Sequence, residues 1–255
     1  MTMLQFLFVC PMMFLAGFVD SIAGGGGLIS LPAYIIAGVP AHYALGTNKL
    51  ASAMGTSIST GRYLKNGYMK GKQMIRIALG ACVASLIGSH IGSRLSLLVS
   101  EAMLKNLMIV ILPIVAFYVL RNKDLGAGAE REPLPEMTAF AIAILAAFVI
   151  GGYDGFYGPG TGTVLILVLT GAARMDVRQA SALTKVINLS SNVSALATFL
   201  LSGNVYFGLG LSAGVFCIAG HYIGSGLVVH NGQKIVRPVI LVVLAVLFLK
   251  IITGA

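Results

Sequence analysis

Two lysines stand where lysine is costly. Lys49 lies in ALGTNKLASA and Lys185 in ALTKVINLSSN, each about eight residues inside a stretch long enough to cross a bilayer. A lysine near the bilayer centre costs roughly 2.5–3.5 kcal/mol on insertion scales. Two at matching places point to cations that converge on an anionic substrate near the midplane. The competing reading is that each lysine pairs with an intramembrane carboxylate or snorkels to an interface. Asn48 and Thr184 precede the two lysines, and Thr47 lies beside Asn48. Asn188 and Asn192 are four apart and share the helical face of Lys185, so these groups could line one polar strip. Such residues also serve as ordinary interhelical hydrogen-bonding groups.

Two glycine-rich breaks add a second kind of anion site. Gly24–Gly27 precede one short apolar stretch, and Gly158-Pro159-Gly160-Thr161-Gly162 precede another. A helix N-terminus carries unpaired N–H groups and about half a positive charge, and glycine lets an anion reach the backbone. Gly25, Gly26, Gly27 and Gly160 are the candidate backbone donors, with Thr161 and Thr163 as hydroxyl donors. A tight buried turn would demand glycine as well, so the glycines gain weight only beside the lysines. Asp20 and Asp154 lie just before the breaks. They could relay protons, or they could accept hydrogen bonds from their own turns and pair with a lysine.

Other chemistries find no support. His42, His90, His221 and His230 show no metal-ligand spacing, and no cofactor is expected. No Lys-Ser/Thr follows Gly27 or Gly162, so neither break is a phosphate loop. Ser21, Ser30 and Ser190 lack a nearby general base, which argues against an enzyme. Cys10, Cys82 and Cys217 are odd in number and set in apolar runs, unlike a disulfide framework.

The elements that must hold these residues follow from composition. The 255 residues are 57% hydrophobic and 10% charged, with mean hydropathy +0.93. Soluble domains carry about 25% charged residues, so the composition requires a lipid bilayer as partner and leaves no nucleic-acid arm. The apolar N-terminus lacks a basic leader and a cleavage site, and reads as a retained membrane segment.

The chain is a tandem repeat. GFVDSIAGGGG at 17–27 matches GYDGFYGPGT at 152–161, with Asp20 on Asp154. Lys49 then falls on Lys185, and the small-xxx-small pair Gly88/Gly92 on Gly220/Gly224. The expected fold is an all-α polytopic membrane protein of two inverted-topology repeats. Each holds one re-entrant helical hairpin and three full transmembrane helices. Repeat 1 covers 1–120, with hairpin 3–38 and spans 41–64, 74–98 and 103–120. A polar cytoplasmic linker, 121–136, leads to repeat 2 at 137–255, with hairpin 137–171 and spans 177–202, 205–229 and 235–252. The stretches after the breaks are about 15–17 Å as helix, too short for about 30 Å of hydrocarbon.

Charge sets the sidedness. Arg62, Lys65, Lys70, Lys72 and Arg76 mark a cytoplasmic loop, whereas Ser202-Gly203-Asn204-Val205 is uncharged and should face outward. Both termini then lie on the non-cytoplasmic side, and the halves have opposite orientation, as in inverted-repeat transporters.

At DSIAGGGGL (20–28), ALGTNKL (44–50), Gly155 with YGPGTGT (157–163), and ALTKVINLSSN (182–192), the sequence resembles the TauE/SafE family of membrane permeases, named for sulfite and sulfonate export. The resemblance implies a transporter of the cell inner membrane that moves sulfur-containing anions such as sulfite, sulfoacetate or related sulfonates. The runner-up reading is a passive anion channel that uses the same residues. Close-packing glycines serve contacts within one copy or between copies, so a homo-oligomer stays open.

Overall fold

The structure is a computed structural model and describes residues 2–104, 106, 132 and 134–231. The described helices are α1 (Met3–Ala23), α2 (Gly27–Ile36), α3 (Ala41–Lys65), α4 (Lys72–Leu98), α5 (Glu136–Phe156), α6 (Thr161–Gly171), α7 (Val177–Leu201) and α8 (Phe207–Asn231). No strand occurs among the described residues. The expected spans 103–120 and 235–252 and the linker 121–136 lie wholly or largely outside them.

Polarity runs inside out relative to a soluble protein. Along α4, Ile75, Leu79, Val83, Ile87, Ile91 and Leu95 recur every fourth residue and are all exposed. The buried face of the same helix carries Ser85, Ser89, Ser93 and Ser96 with Gly88 and Gly92. An apolar outer stripe over a polar inner face is stable only against hydrocarbon. The protein is membrane-integral.

By length and composition α1, α4, α5 and α8 can cross a bilayer. α3 and α7, at 25 residues each, are as long but do not reach that hydropathy. Their low hydropathy comes from Lys, Asn, Ser and Thr, most of which are buried against neighbouring helices. α3 packs on α7 and α8, and α7 packs on α3, α4, α5 and α6. These two central helices are solvated by protein, so they need little lipid-facing apolar surface.

The packing maps onto itself when the two halves are exchanged. α1 lies on α8 as α5 lies on α4, and α3 lies on α8 as α7 lies on α4. Both close helix pairs depend on the small-xxx-small residues. Gly88 and Gly92 face the carbonyls of Phe148 and Gly152, while Gly220 and Gly224 face those of Phe14 and Phe18. A Cβ at any of the four would collide with backbone, so only glycine permits this approach.

Candidate functional site

Each glycine break ends one helix and starts a short one. α1 stops at Gly24, which turns left-handed (φ 78°) and donates its N–H to the Asp20 carbonyl at 2.9 Å. A β-carbon disfavours this conformation. The second break has left-handed glycines at 158 and 160 before α6 starts at Thr161. Tyr153 OH donates to the Pro159 carbonyl (2.8 Å) and Thr161 Oγ1 to the Gly158 carbonyl (2.6 Å), which fixes that turn.

The two tips meet. Gly24 and Gly162 are in backbone contact, and a Cβ on either would overlap the other's main chain. Thr163 Oγ1 donates to the Ala23 carbonyl at 2.9 Å, tying the start of α6 to the end of α1. α2 and α6, at 10 and 11 residues, run only about 15–17 Å away from this junction.

At the junction each lysine pairs with the aspartate of the opposite half. Lys49 Nζ lies 2.7 Å from Asp154 Oδ2 and 3.1 Å from Asn192 Oδ1, to both of which it donates. Ser191 Oγ donates a further hydrogen bond to the same Asp154 oxygen, at 2.5 Å. Lys185 Nζ lies 3.0 Å from Asp20 Oδ2 and donates to the Asp20 carbonyl as well. Asp20 Oδ1 also accepts the Gly26 N–H at 3.4 Å, so this carboxylate holds both its own turn and the opposite lysine. Both lysine side chains are at most 3% exposed. Their charge is therefore compensated locally, which makes a buried ammonium tolerable.

A small cavity of about 40 Å³ opens at this junction. Ligand pockets for drug-sized molecules run to roughly 300–1,000 Å³, so only a small solute suits it. Among the expected site residues, Gly26, Gly27, Asn48, Lys49, Asn188, Asn192, Thr161, Asp20 and Asp154 line it. Gly25, Gly160, Thr184 and Lys185 do not. Lys185 sits behind Asp20, and the Thr184 hydroxyl is buried without a partner. Three polar atoms on lining residues also lack partners: Ser30 Oγ, Asn48 Oδ1 and Asn188 Oδ1. Buried polar atoms are nearly always satisfied, so unsatisfied ones at a cavity mark a place for a solute. An amide can turn to present either its oxygen or its NH₂.

The surrounding helices hold these groups with hydroxyls. Ser85 Oγ donates to the Ile187 carbonyl (2.9 Å), Ser89 Oγ to that of Ser191 (2.6 Å), and Ser93 Oγ to Thr198 Oγ1 (2.9 Å). This ladder clamps α4 to α7 on either side of Asn188 and Asn192. In the other half, Thr60 Oγ1 donates to the Lys185 carbonyl at 3.2 Å and Tyr63 OH to the Ser21 carbonyl at 2.7 Å. The four-residue spacing of Ser85, Ser89 and Ser93 is visible in the sequence, but only the structure names the partner helix. His221 is a lining residue that spacing rules pass over. It is buried, with Nε2 3.6 Å from Asp20 Oδ2 and Nδ1 2.9 Å from Ser59 Oγ.

The profile of the family "Sulfite exporter TauE/SafE" matches residues 9–251. The chain belongs to the TauE/SafE family. "Probable membrane transporter protein ORF9" of Sinorhizobium sp is 35% identical over 98% of this chain and 92% of its own length. "Probable membrane transporter protein YfcA" of Escherichia coli K12 is 33% identical over 93% of this chain and 86% of its own. An archaeal relative, "Probable membrane transporter protein MJ0441" of Methanocaldococcus jannaschii, is 26% identical over 77% of the chain and 74% of its own. No solved structure matches the chain. As a TauE/SafE protein, the chain is a membrane transporter.

Proposed function

We propose that this TauE/SafE protein is a secondary transporter, and an exporter, of small sulfur-containing anions such as sulfite or an organosulfonate. It works in the cell inner membrane by alternating access. The observation that carries the reading is the junction itself. The Lys49–Asp154 pair, the Asp20 carboxylate that Lys185 holds, two glycine tips and unpartnered amides come together at one small cavity. The anion would lodge between Lys49, the amides of Asn48, Asn188 and Asn192, and the N-terminal N–H groups of α2 and α6, where Gly26, Gly27 and Thr161 give backbone access. Lys185 would act from behind Asp20. The repeats would be inverted, with each hairpin re-entrant, so that moving one half against the other exposes the site to either side.

The ion pairs cross between halves, and that supports a carrier. Any motion of one half against the other must strain or exchange Lys49–Asp154 and Lys185–Asp20, and a bound anion is the natural replacement for a departing carboxylate. The test is counterflow of labelled sulfite into proteoliposomes, with sulfoacetate, taurine, sulfate and chloride as competitors. Saturable exchange with a sulfur-anion ranking is expected. A steady non-saturating conductance would replace the carrier with a channel, and no sulfite movement in folded protein would remove the substrate class.

A further inference from the structure

The charges at the junction sum to zero: Lys49 and Lys185 against Asp20 and Asp154. A monoanion entering this cavity leaves one uncompensated negative charge among buried groups, which low-dielectric surroundings penalise by several kcal/mol. A proton entering with the anion restores the balance, and the two halves are not equivalent in where they could hold it.

Asp154 is met by Lys49 and the Ser191 hydroxyl, whereas Asp20 is met by Lys185 and an imidazole. Ser59 Oγ lies 2.9 Å from His221 Nδ1 and 3.1 Å from the Thr56 carbonyl, so its one hydroxyl proton can go to either and the ring tautomer follows from that choice. His221 Nε2 faces the Asp20 carboxylate at 3.6 Å in either tautomer. The neutral ring can take one further proton, and the imidazolium then stands as a cation beside Asp20. The groups that bear on His221 are Asp20 from α1, Lys185 from α7 and Ser59 from α3, with Cys217 one turn away on α8. Tyr63 of α3 stands near Asp20 but spends its hydroxyl proton on the Ser21 carbonyl. The cavity is lined by Met13, Ala16 and Cys217 as well as by amides and a lysine. That suits an anion with a carbon end.

We propose that the site takes a monoanionic sulfonate together with one proton, and that the proton rides on the His221 imidazole beside Asp20. This rests on the transporter reading above. The proton comes from the side that supplies the anion, is held on His221 during passage and leaves with it, so the cycle moves no net charge.

The test uses labelled methanesulfonate, which is a monoanion at every working pH, so that any proton moved belongs to the protein. Proteoliposomes carry an entrapped pH dye and a clamped membrane potential, with sulfite counterflow run on the same vesicles. Wild type is expected to take up one proton per methanesulfonate. A gradient of one pH unit, acid outside, should give accumulation inside approaching about tenfold, indifferent to potential. In His221→Gln the ratio of uptake with and without the gradient should fall to about one. That ratio cancels a general loss of rate, and the wild-type proton count stands if the variant does not fold. A wild type that exchanges anions without moving protons overturns the inference and leaves the transporter reading intact. A full gradient response in His221→Gln also overturns it, as does sulfite exchange without methanesulfonate exchange. Absence of all exchange removes the transporter reading and this inference with it.

Discussion

Replacing Lys185 by methionine removes the cation that faces Asp20 and leaves the carboxylate with one long hydrogen bond from Gly26 N–H and an uncharged imidazole. Breaking a buried ion pair from one side costs about 3–5 kcal/mol, because the partner stays charged and unpaired. Asp20 keeps 17% side-chain exposure, which places the expected loss near the lower end. For a chain of this size about 3 kcal/mol corresponds to a fall of roughly 6–12 °C in unfolding midpoint. Removing both charges, in Lys185→Met with Asp20→Asn, avoids the stranded carboxylate and keeps an oxygen for the Gly26 N–H. The double variant should recover to within about 1–2 kcal/mol of wild type. The assay is fluorescence-detected size exclusion after heating in detergent. A Lys185→Met protein as stable as wild type, or a double variant no better than the single, would refute the cross-half pairing.

Gly92→Val should destabilise by at least about 1–3 kcal/mol, since its side chain enters the Gly152 carbonyl, whereas Gly61→Ala, with open space at its Cβ, should gain about 0.5–1 kcal/mol. The same heating assay separates them. Ser202→Cys should react with impermeant maleimide from outside intact cells, and Lys70→Cys only after permeabilisation, which tests the inverted sidedness. Cys10 and Cys217 are buried, and the half-buried Cys82 is replaced by serine in both variants to keep the background low. Asn188→Ala should weaken anion competition in counterflow about three- to tenfold without lowering stability, because its Oδ1 has no partner to lose.

The sequence made the all-helical membrane fold legible because lipid imposes a composition that nothing else does. The glycine landmarks were legible, and they fall where backbones touch: Gly24 at the tip, Gly88/Gly92 and Gly220/Gly224 at the close helix pairs. Lys49 and Lys185 stood out by the cost of placing lysine in a span. Their partners did not follow. Asp20 and Asp154 sit in the same halves as symmetric marks, and only the tertiary arrangement crosses them, so that Lys49 meets Asp154 and Lys185 meets Asp20. The split of the lysines, one on the cavity wall and one behind an aspartate, depends on side-chain placement that spacing does not encode. His221 was invisible for the same reason: a lone histidine gains meaning from Ser59 and Asp20, 162 positions away for the first in the chain. The expected stretches 41–64 and 177–202 correspond to α3 and α7, helices of spanning length whose low hydropathy goes with burial of their polar residues in protein.

The most direct test of the anion site is labelled-sulfite counterflow in the double variant Lys49→Met with Asp154→Asn. It removes the lysine on the cavity wall without stranding its carboxylate, so a defect in folding and a defect in binding are separated. The account predicts a protein that elutes and melts close to wild type yet exchanges sulfite at least about tenfold more slowly, the loss of one charge-assisted contact of about 1.5–3 kcal/mol. Wild-type exchange in that folded variant would contradict it and leave Lys49–Asp154 as a strut between the two halves.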